Sequence, residues 1–331
     1  MTETKENDVR KTILAASLLA VLAITVAACG DDGGTGSGSG AADSTGKSKL
    51  SGTIKIDGSS TVAPLSEAAA ELFQAENSGV RVTVGTSGTG GGFEKFCAGE
   101  TDISDASRPI KDDEEAPICK KNGVAYEEVQ VANDGLAVVV NKDNDWAKCL
   151  TVEQLKKVWQ KGSKLNNWKQ IDPKFPDEKL SLFGAGTDSG TFDYFTDAIN
   201  GEEGNSRSDY NATEDDNVTV QGVSGSKGGL GYFGLSYFEQ NQDKLTDVQI
   251  DGGGGCVTPT SETVQSGEYK PLSRPLFIYP SDKALKRPEV KAFVKFYVDN
   301  VDRITKQALF VDLTDEQKTE SQSRVAKLAG S

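Results

Sequence analysis

Short runs of β-branched residues alternate with helix-like segments along most of this chain. Residues 53–57 are predicted as a strand and residues 62–75 as a helix, and the same order returns at 179–184 and 190–200. Strands and helices that alternate in sequence build a sheet with helices packed on its faces. The pattern therefore predicts an α/β fold, with strands over 126–131 and 136–141 and a further helix over 151–160 that begins with a capping box between Thr151 and Gln154.

The composition excludes several classes of function. The chain has no histidine, which removes Ser-His-Asp and Cys-His nucleophile systems and His-ligated metal sites. The 36 Lys and Arg residues against 50 Asp and Glu residues give a formal net charge of −14. Because nucleic-acid binding needs clustered cations to neutralise phosphates, we expect no nucleic-acid partner. We also expect no cofactor and no metal.

The first 28 residues are predicted to be a lipoprotein signal peptide. Arg10 and Lys11 precede an apolar run over 13–28, which is shorter than the roughly 20 residues that a membrane-spanning helix needs. Cys29 follows, and the pattern resembles the bacterial lipoprotein signal, in which this cysteine is lipidated. A transmembrane anchor is the alternative. Residues 29–49 are rich in Gly and Ser, so we expect them to form a flexible tether.

Four cysteines follow Cys29 in the sequence: Cys97, Cys119, Cys149 and Cys256. An even number of cysteines in an exported chain indicates disulfides, although four cysteines allow three pairings. We favour pairs between Cys97 and Cys119 and between Cys149 and Cys256. A metal site is the alternative, but the chain lacks the paired C-x-x-C spacing that would support it.

Three segments join a predicted strand to a predicted helix through Gly, Ser and Thr: 57–61, 85–92 and 186–191. The start of a helix has unpaired N–H groups and the positive end of the helix dipole, so it binds anions without a cationic side chain. Each segment alone is also ordinary cap and turn material, and none fits the Walker A pattern. If the three segments converge, they form an oxyanion site.

A fourth segment, 101–109, carries charges of both signs. Arg108 can donate two parallel hydrogen bonds to a tetrahedral oxyanion. Near pH 7 phosphate retains a proton and sulfate retains none, so Asp105 can accept a hydrogen bond from phosphate and would repel sulfate. A structural ion pair between Asp105 and Arg108 is the alternative.

Taken together, these segments resemble the phosphate-binding proteins of bacterial ABC phosphate importers. The matching stretches are DGSSTVAPL at 57–65, GTSGTGGGFEKFCAGETDISDASRPI at 85–110, DGLAVVVN at 134–141, FGAGTDSGTFDYF at 183–195 and GLGYFGLSYF at 229–238. The resemblance implies a class II periplasmic-binding-protein fold, with two α/β lobes, a two-segment hinge and the ligand in the cleft. The first lobe would take 50–133 plus 254–331 and the second 134–253, with the glycine run at 252–255 where the chain crosses back.

The resemblance also implies the residues of the ligand site. Those predicted to bind phosphate are Ser60, Thr61, Ser87, Asp105, Arg108, Ser189, Gly190 and Thr191. Asp105 would accept the proton of the phosphate, at a distance of 18 positions from Ser87. Many family members carry an arginine where this chain has Ala185, and we expect Arg108 to supply the guanidinium instead.

The function implied by the resemblance is that of a monomeric, lipid-anchored receptor for inorganic phosphate. It would work outside the cytoplasmic membrane and deliver phosphate to the membrane subunits of an ABC permease, with no chemistry performed. A receptor for sulfate or molybdate remains open, although Asp105 argues against it. A phosphate-ester hydrolase would need an activated nucleophile or a metal, for which the sequence offers few candidates. A surface lipoprotein with purely structural turns is the remaining alternative.

Overall fold

The computed structural model describes residues 50–330 of the 331-residue chain. The predicted signal peptide, the predicted lipidation site Cys29 and the predicted tether lie outside the described residues. Within residues 50–330, no helix is both long enough and apolar enough to cross a membrane.

Strands and helices alternate through the described part of the chain. The strands are β1 (Gly52–Gly58), β2 (Val80–Gly85), β3 (Ile103–Ala106), β4 (Val129–Asn141), β5 (Cys149–Thr151), β6 (Ser181–Ala185), β7 (Asn211–Thr213), β8 (Gly229–Gly234), β9 (Leu245–Asp247), β10 (Gln249–Asp251), β11 (Cys256–Val257) and β12 (Ser273–Pro280). The helices are α1 (Ala63–Glu76), α2 (Gly88–Cys97), α3 (Ala116–Lys121), α4 (Val152–Trp159), α5 (Gly190–Phe195), α6 (Asp216–Ser224), α7 (Leu235–Glu239), α8 (Ser261–Gln265), α9 (Pro288–Asp299), α10 (Val301–Ala308) and α11 (Asp315–Gly330). The α/β prediction is confirmed.

Most strands belong to one sheet of nine strands in the order β2-β1-β3-β12-β4-β8-β6-β7, with β9 also paired to β4. β1 is parallel to both β2 and β3, and β6 is parallel to both β7 and β8. The strands between these two parallel groups are antiparallel, because β12 pairs with β3 and β4, and β4 pairs with β8. A second sheet of three strands has the order β11-β10-β5.

The long strand β4 differs from the prediction, which divided this region into separate strands over 126–131 and 136–141. Its 13 residues form one continuous strand, buried over almost its whole length. The first half pairs with β12, and the second half pairs with β8 and β9. One strand therefore passes through both parts of the molecule.

The apolar interior forms three clusters of buried residues. One packs α1, α9 and α10 against β1 and β3, and contains Phe73 and Phe293 with their rings 5.4 Å apart. A second lies around the far half of β4, β6 and β8, and contains Trp159, which packs edge-on against Tyr232. A third, smaller cluster lies under α2 and α3 and includes Phe93.

Local features follow the sequence signals closely. Thr151 accepts a hydrogen bond from the backbone of Gln154, whose side chain accepts one from the Thr151 backbone, so the expected capping box opens α4. The two disulfides join Cys97 to Cys119 and Cys149 to Cys256, as favoured from the sequence. The glycine run at 252–255 forms the exposed turn between β10 and β11, where two of its N–H groups donate to Asp251.

Candidate functional site

Parallel strands bring the predicted turns to one edge of the sheet. β1, β2 and β3 are parallel neighbours, so their carboxyl ends lie side by side, followed by residues 59–61, 86–92 and 107–108. Ligands of α/β proteins bind at such strand ends, where the following helices begin. The turn after β6 has the same relation to α5 in the other half of the sheet.

The first turn is fixed by close backbone packing. Gly58 has a φ of +147°, and a Cβ atom there would lie 2.0 Å from the carbonyl oxygen of Asp105, so only glycine fits. Ser59 donates its N–H to the same carbonyl at 2.9 Å, and its hydroxyl accepts from the N–H of Thr61 at 3.2 Å. The chain then enters α1, which carries Pro64 in its first turn. Thr61 is therefore held rigidly at the start of the helix.

The turn before α5 meets this first turn directly. Ser189 caps α5 by accepting a hydrogen bond from the N–H of Thr191 at 3.1 Å. The hydroxyl of Thr61 lies 3.4 Å from the carbonyl oxygen of Gly190, to which it donates. A Cβ atom on Gly190 would lie 2.7 Å from that hydroxyl and 2.8 Å from the Thr61 backbone nitrogen. The two helix starts therefore touch, although 129 positions separate them in the chain.

These two turns line one cavity of about 220 Å³. It brings together five of the eight predicted residues, which are Ser60, Thr61, Ser189, Gly190 and Thr191. Its other walls come from β4, from the start of α7 and from the segment that follows α10. Two of the three predicted segments, 57–61 and 186–191, therefore face a common space, whereas the third, 85–92, does not line it.

Asp193 extends the contact between the two turns. Its carboxylate accepts a hydrogen bond from the hydroxyl of Ser60 at 3.3 Å. Asp193 is half-buried, and this burial raises its pKa, while the bond from Ser60 and the charge of Arg274 oppose the increase. A carboxylate thus lies beside the hydroxyl-bearing turns, although the sequence reasoning did not select Asp193.

Arg274 is the second residue that the sequence reasoning missed. It lies in β12 opposite Asp134 of β4, and its Nε donates to the Asp134 carboxylate at 3.1 Å. Its Nη2 donates to the hydroxyl of Thr61 at 2.8 Å. Burial raises the pKa of Asp134, and the adjacent guanidinium counteracts this. A guanidinium therefore reaches a residue of the cavity from the middle of the sheet.

Ser87 lies in the third turn but outside the cavity lining. It is exposed, and both its N–H and its hydroxyl donate to Asp57, at 3.0 and 2.6 Å. Asp57 also forms an ion pair with Lys95 at 2.7 Å. These hydrogen bonds and the ion pair connect the start of α2 to the end of β1, which is a structural role.

A hydrogen-bonded pair lies two positions after Ser87 and Asp105 in the sequence. The hydroxyls of Thr89 and Ser107 lie 3.0 Å apart, and the N–H of Ser107 donates to Thr89 at 3.2 Å. This pair connects the start of α2 to the end of β3 and does not line the cavity.

Asp105 does not line the cavity, and its role in binding phosphate stays a prediction. Successive residues of a strand point to opposite faces, and this parity turns Asp105 toward α1 and α9. The carboxylate is fully buried, accepts a hydrogen bond from Ser66 at 2.9 Å and lies near Tyr297. Its other oxygen has no partner among residues 50–330. Burial raises the pKa of Asp105 to about 8, against the opposing effect of the Ser66 bond.

Arg108 also lies outside the cavity lining. Both of its terminal nitrogens donate to Glu115, at 2.7 and 2.9 Å, and its guanidinium lies 5.7 Å from the ring centre of Phe93. The structural ion pair that the sequence left open therefore exists, but its carboxylate is Glu115 and not Asp105. Within the described range, no group of three or more acidic or cysteine side chains could hold a metal ion.

Comparison with known proteins gives a consistent family. A model described as the PBP superfamily domain matches residues 43–301. Protein SphX of Synechococcus elongatus is 46% identical over 274 residues, which cover 82% of this chain and 80% of that protein. Phosphate-binding protein PstS of Staphylococcus saprophyticus is 41% identical over 321 residues, covering 96% of this chain and 93% of that protein.

Solved structures agree with these relatives. The crystal structure of a possible phosphate binding protein from Planctomyces limnophilus superposes with a TM-score of 0.81 at 50% identity, covering 84% of this chain and 99% of that chain. An ABC-type phosphate transport receptor from Vibrio cholerae has a TM-score of 0.61 at 23% identity, over 78% of this chain and 99% of that one, and shows the shared fold. The chain belongs to the PBP superfamily and, within it, to the PstS-like family of substrate-binding proteins.

Proposed function

We propose that this chain binds inorganic phosphate and delivers it to an ABC-type phosphate importer. One observation carries the proposal: two Ser-, Thr- and Gly-rich helix starts face each other across a single cavity, with a guanidinium bonded to one of them. The names of relatives that match almost the whole chain, including a phosphate-binding protein from Staphylococcus saprophyticus, support phosphate as the ligand.

The donors at this cavity suit an oxyanion within an acidic protein. Ser189 and Thr191 line the cavity with hydroxyls, and the starts of α1 and α5 add the positive ends of the helix dipoles, which favour negative charge. The net charge of −14 acts from a distance and is screened by salt, whereas these dipoles act at contact distance. The cavity walls also carry the carboxylates of Asp134 and Asp216, and Arg274 is paired with the first of them.

Selectivity for phosphate requires a group that recognises a proton. Phosphate keeps at least one proton near neutral pH and sulfate keeps none, so a carboxylate beside the anion accepts a hydrogen bond from one and repels the other. We assign this role, which the sequence predicts for Asp105, to Asp193. The support is that Asp193 is half-buried and accepts a hydrogen bond from Ser60, a residue of the cavity lining, although Asp193 itself does not line the cavity.

We further propose two lobes that close on the ligand, with β4 and β12 as the crossing strands. The division of the buried residues into separate clusters supports this arrangement. Val264, Tyr269 and Leu272 pack with the second cluster, so we place the return crossing at the start of β12. The glycine run at 252–255, where the sequence set the boundary, is then a surface turn of the second lobe.

The location and assembly follow from the same proposal. We infer that the receptor works outside the cytoplasmic membrane as a monomer, anchored through lipid on Cys29, with the tether over 29–49 leaving the folded part free to reach the permease. We also infer that it performs no chemistry on its ligand. The two disulfides support an oxidising location.

Isothermal titration of the full chain with inorganic phosphate tests the proposal. We expect saturable binding of one phosphate per chain, unchanged by sulfate or molybdate in hundredfold excess. An Asp193→Asn variant should lose this discrimination, and an Arg108→Ala variant with unchanged affinity would remove Arg108 from the site. Binding of sulfate as tight as that of phosphate, or turnover of a chromogenic phosphate ester, would contradict the proposal.

A further inference from the structure

Arg274 lies where the two halves of the molecule join. It is near the start of β12 and pairs across the sheet with Asp134 of β4. β4 runs from one apolar cluster to the other, and β12 begins directly after Leu272 of the cluster around Trp159. The exposed fractions of the two side chains are 17% for Arg274 and 7% for Asp134. This charged pair is therefore largely buried at the point about which lobe movement would occur.

Three parts of the structure hold the guanidinium in place. Nε donates to the Asp134 carboxylate at 3.1 Å, and Nη2 donates to the Thr61 hydroxyl at 2.8 Å. The guanidinium carbon lies 3.5 Å from the centre of the Tyr194 ring, a stacking contact with a residue of α5. Tyr194 is itself fixed, because its hydroxyl donates to the carbonyl of Pro271 at 2.9 Å.

The guanidinium of Arg274 has more N–H donors than these hydrogen bonds use. An arginine side chain carries five N–H donors in a planar fork. Nε and Nη2 use two of them, and Nη1 makes no hydrogen bond within the described part of the chain. Leaving such donors without acceptors in a site closed to water costs free energy. An oxyanion seated between the two helix starts would accept them, and the planar fork suits its oxygen spacing.

We propose that Arg274 donates charged hydrogen bonds to the bound anion and thereby couples anion binding to lobe closure. This inference rests on the proposed function and adds the group that supplies positive charge to the site. Arg274 contacts Thr61 at the start of α1 and Tyr194 on α5, so its orientation depends on both helices being in place. An anion bound to it draws the two helix starts together.

Removal of the guanidinium is the first test. Titration of the full chain with inorganic phosphate should give a dissociation constant at least a hundredfold higher for Arg274→Met and about tenfold higher for Arg274→Lys, which keeps the charge but loses the fork. Small-angle scattering should show that phosphate reduces the radius of gyration of the unchanged chain, and that Arg274→Met does not respond at the same phosphate concentration.

Arg207 offers a matched control. Its side chain is 5% exposed, pairs with Asp209 and donates to the carbonyls of Val158 and Leu165 outside the cavity. An Arg207→Met variant should therefore lower the melting temperature while leaving the dissociation constant for phosphate within threefold. This control separates the loss of a buried guanidinium from the loss of an anion contact.

The Asp134→Asn variant distinguishes an anion site from a structural ion pair. Asn retains an oxygen acceptor for Arg274 but removes a negative charge from the cavity wall, so phosphate affinity should rise severalfold. If Arg274 and Asp134 formed only a structural ion pair, Arg274→Met and Asp134→Asn would instead change the affinity for phosphate in the same direction. The effect of Asp134→Asn on phosphate affinity also tests whether Arg274 contacts the anion if the Arg274→Met variant fails to fold.

Two results would overturn the inference. A folded Arg274→Met variant whose dissociation constant for phosphate is within threefold of that of the unchanged chain would remove Arg274 from the site. A fall in phosphate affinity for Asp134→Asn as large as that for Arg274→Lys would do the same. Absence of phosphate binding by the unchanged chain would overturn the proposed function, and this inference with it.

Discussion

Replacing Asp105 by Asn should stabilise the protein at neutral and alkaline pH without weakening phosphate binding. The Asp105 carboxyl group is fully buried, and a single hydrogen bond from Ser66 compensates its charge. No cation is paired with it among the ion pairs of residues 50–330. An amide of nearly the same shape keeps the contact with Ser66 and has no charge to bury.

The size of the effect follows from the difference in pKa between the folded and unfolded states. Burial raises the pKa of Asp105 from 3.8 to about 8, so the folded state holds a proton that the unfolded state releases above pH 3.8. The carboxyl group therefore costs stability as pH rises through this window, by about 1.4 kcal/mol per pH unit. The accumulated cost at pH 8 is on the order of 5 kcal/mol. An unsatisfied amide N–H would offset about 1–3 kcal/mol of the gain.

Urea unfolding at pH 5, 6, 7 and 8 measures this prediction. The Asp105→Asn variant should be close to the unchanged protein at pH 5 and more stable by about 2–4 kcal/mol at pH 8. Asp143→Asn, the same substitution at an exposed position, serves as the control. A pH-independent difference for Asp105→Asn would refute the reasoning, and a large loss of phosphate affinity would restore Asp105 to the site.

Three further predictions concern packing and the covalent links. Gly190→Ala places a Cβ 2.7 Å from the Thr61 hydroxyl, so the helix starts must separate, and calorimetry should show at least a tenfold loss of phosphate affinity in a folded protein. Gly92→Ala brings a Cβ to 2.4 Å from the Cα of Gly58, and thermal melting should show a marked loss of stability. Removing the Cys149–Cys256 bridge, which closes 107 positions, should destabilise the fold by about 1.4 kcal/mol more than removing the bridge that closes 22, as measured by urea unfolding.

The features predicted correctly are those with a local signature. Alternating strands and helices predicted the α/β fold, and the capping box predicted where α4 begins. The Gly-, Ser- and Thr-rich turns predicted two helix starts that do share one cavity. Each of these signals rests on backbone requirements that extend over a few residues, such as a positive φ at Gly58 or a cap at Ser189.

The features that the sequence did not reveal depend on side-chain direction or on long-range contacts. β3 is buried on both faces, so its polar and apolar residues do not alternate, and nothing local indicates which face Asp105 occupies. Arg274 bonds to Thr61 across 213 positions, a contact that only the sheet order creates. The division of β4 into two predicted strands failed because the middle of the strand carries two buried polar residues, Asn133 and Asp134.

A crystal structure of the full chain with phosphate bound tests the central claim most directly. The account predicts a tetrahedral anion between the starts of α1 and α5, with its oxygens about 3 Å from Thr61, from the donors of Ser189–Thr191 and from the guanidinium of Arg274. An anion bound away from this cavity, or one whose oxygens face neither helix start, would contradict the account.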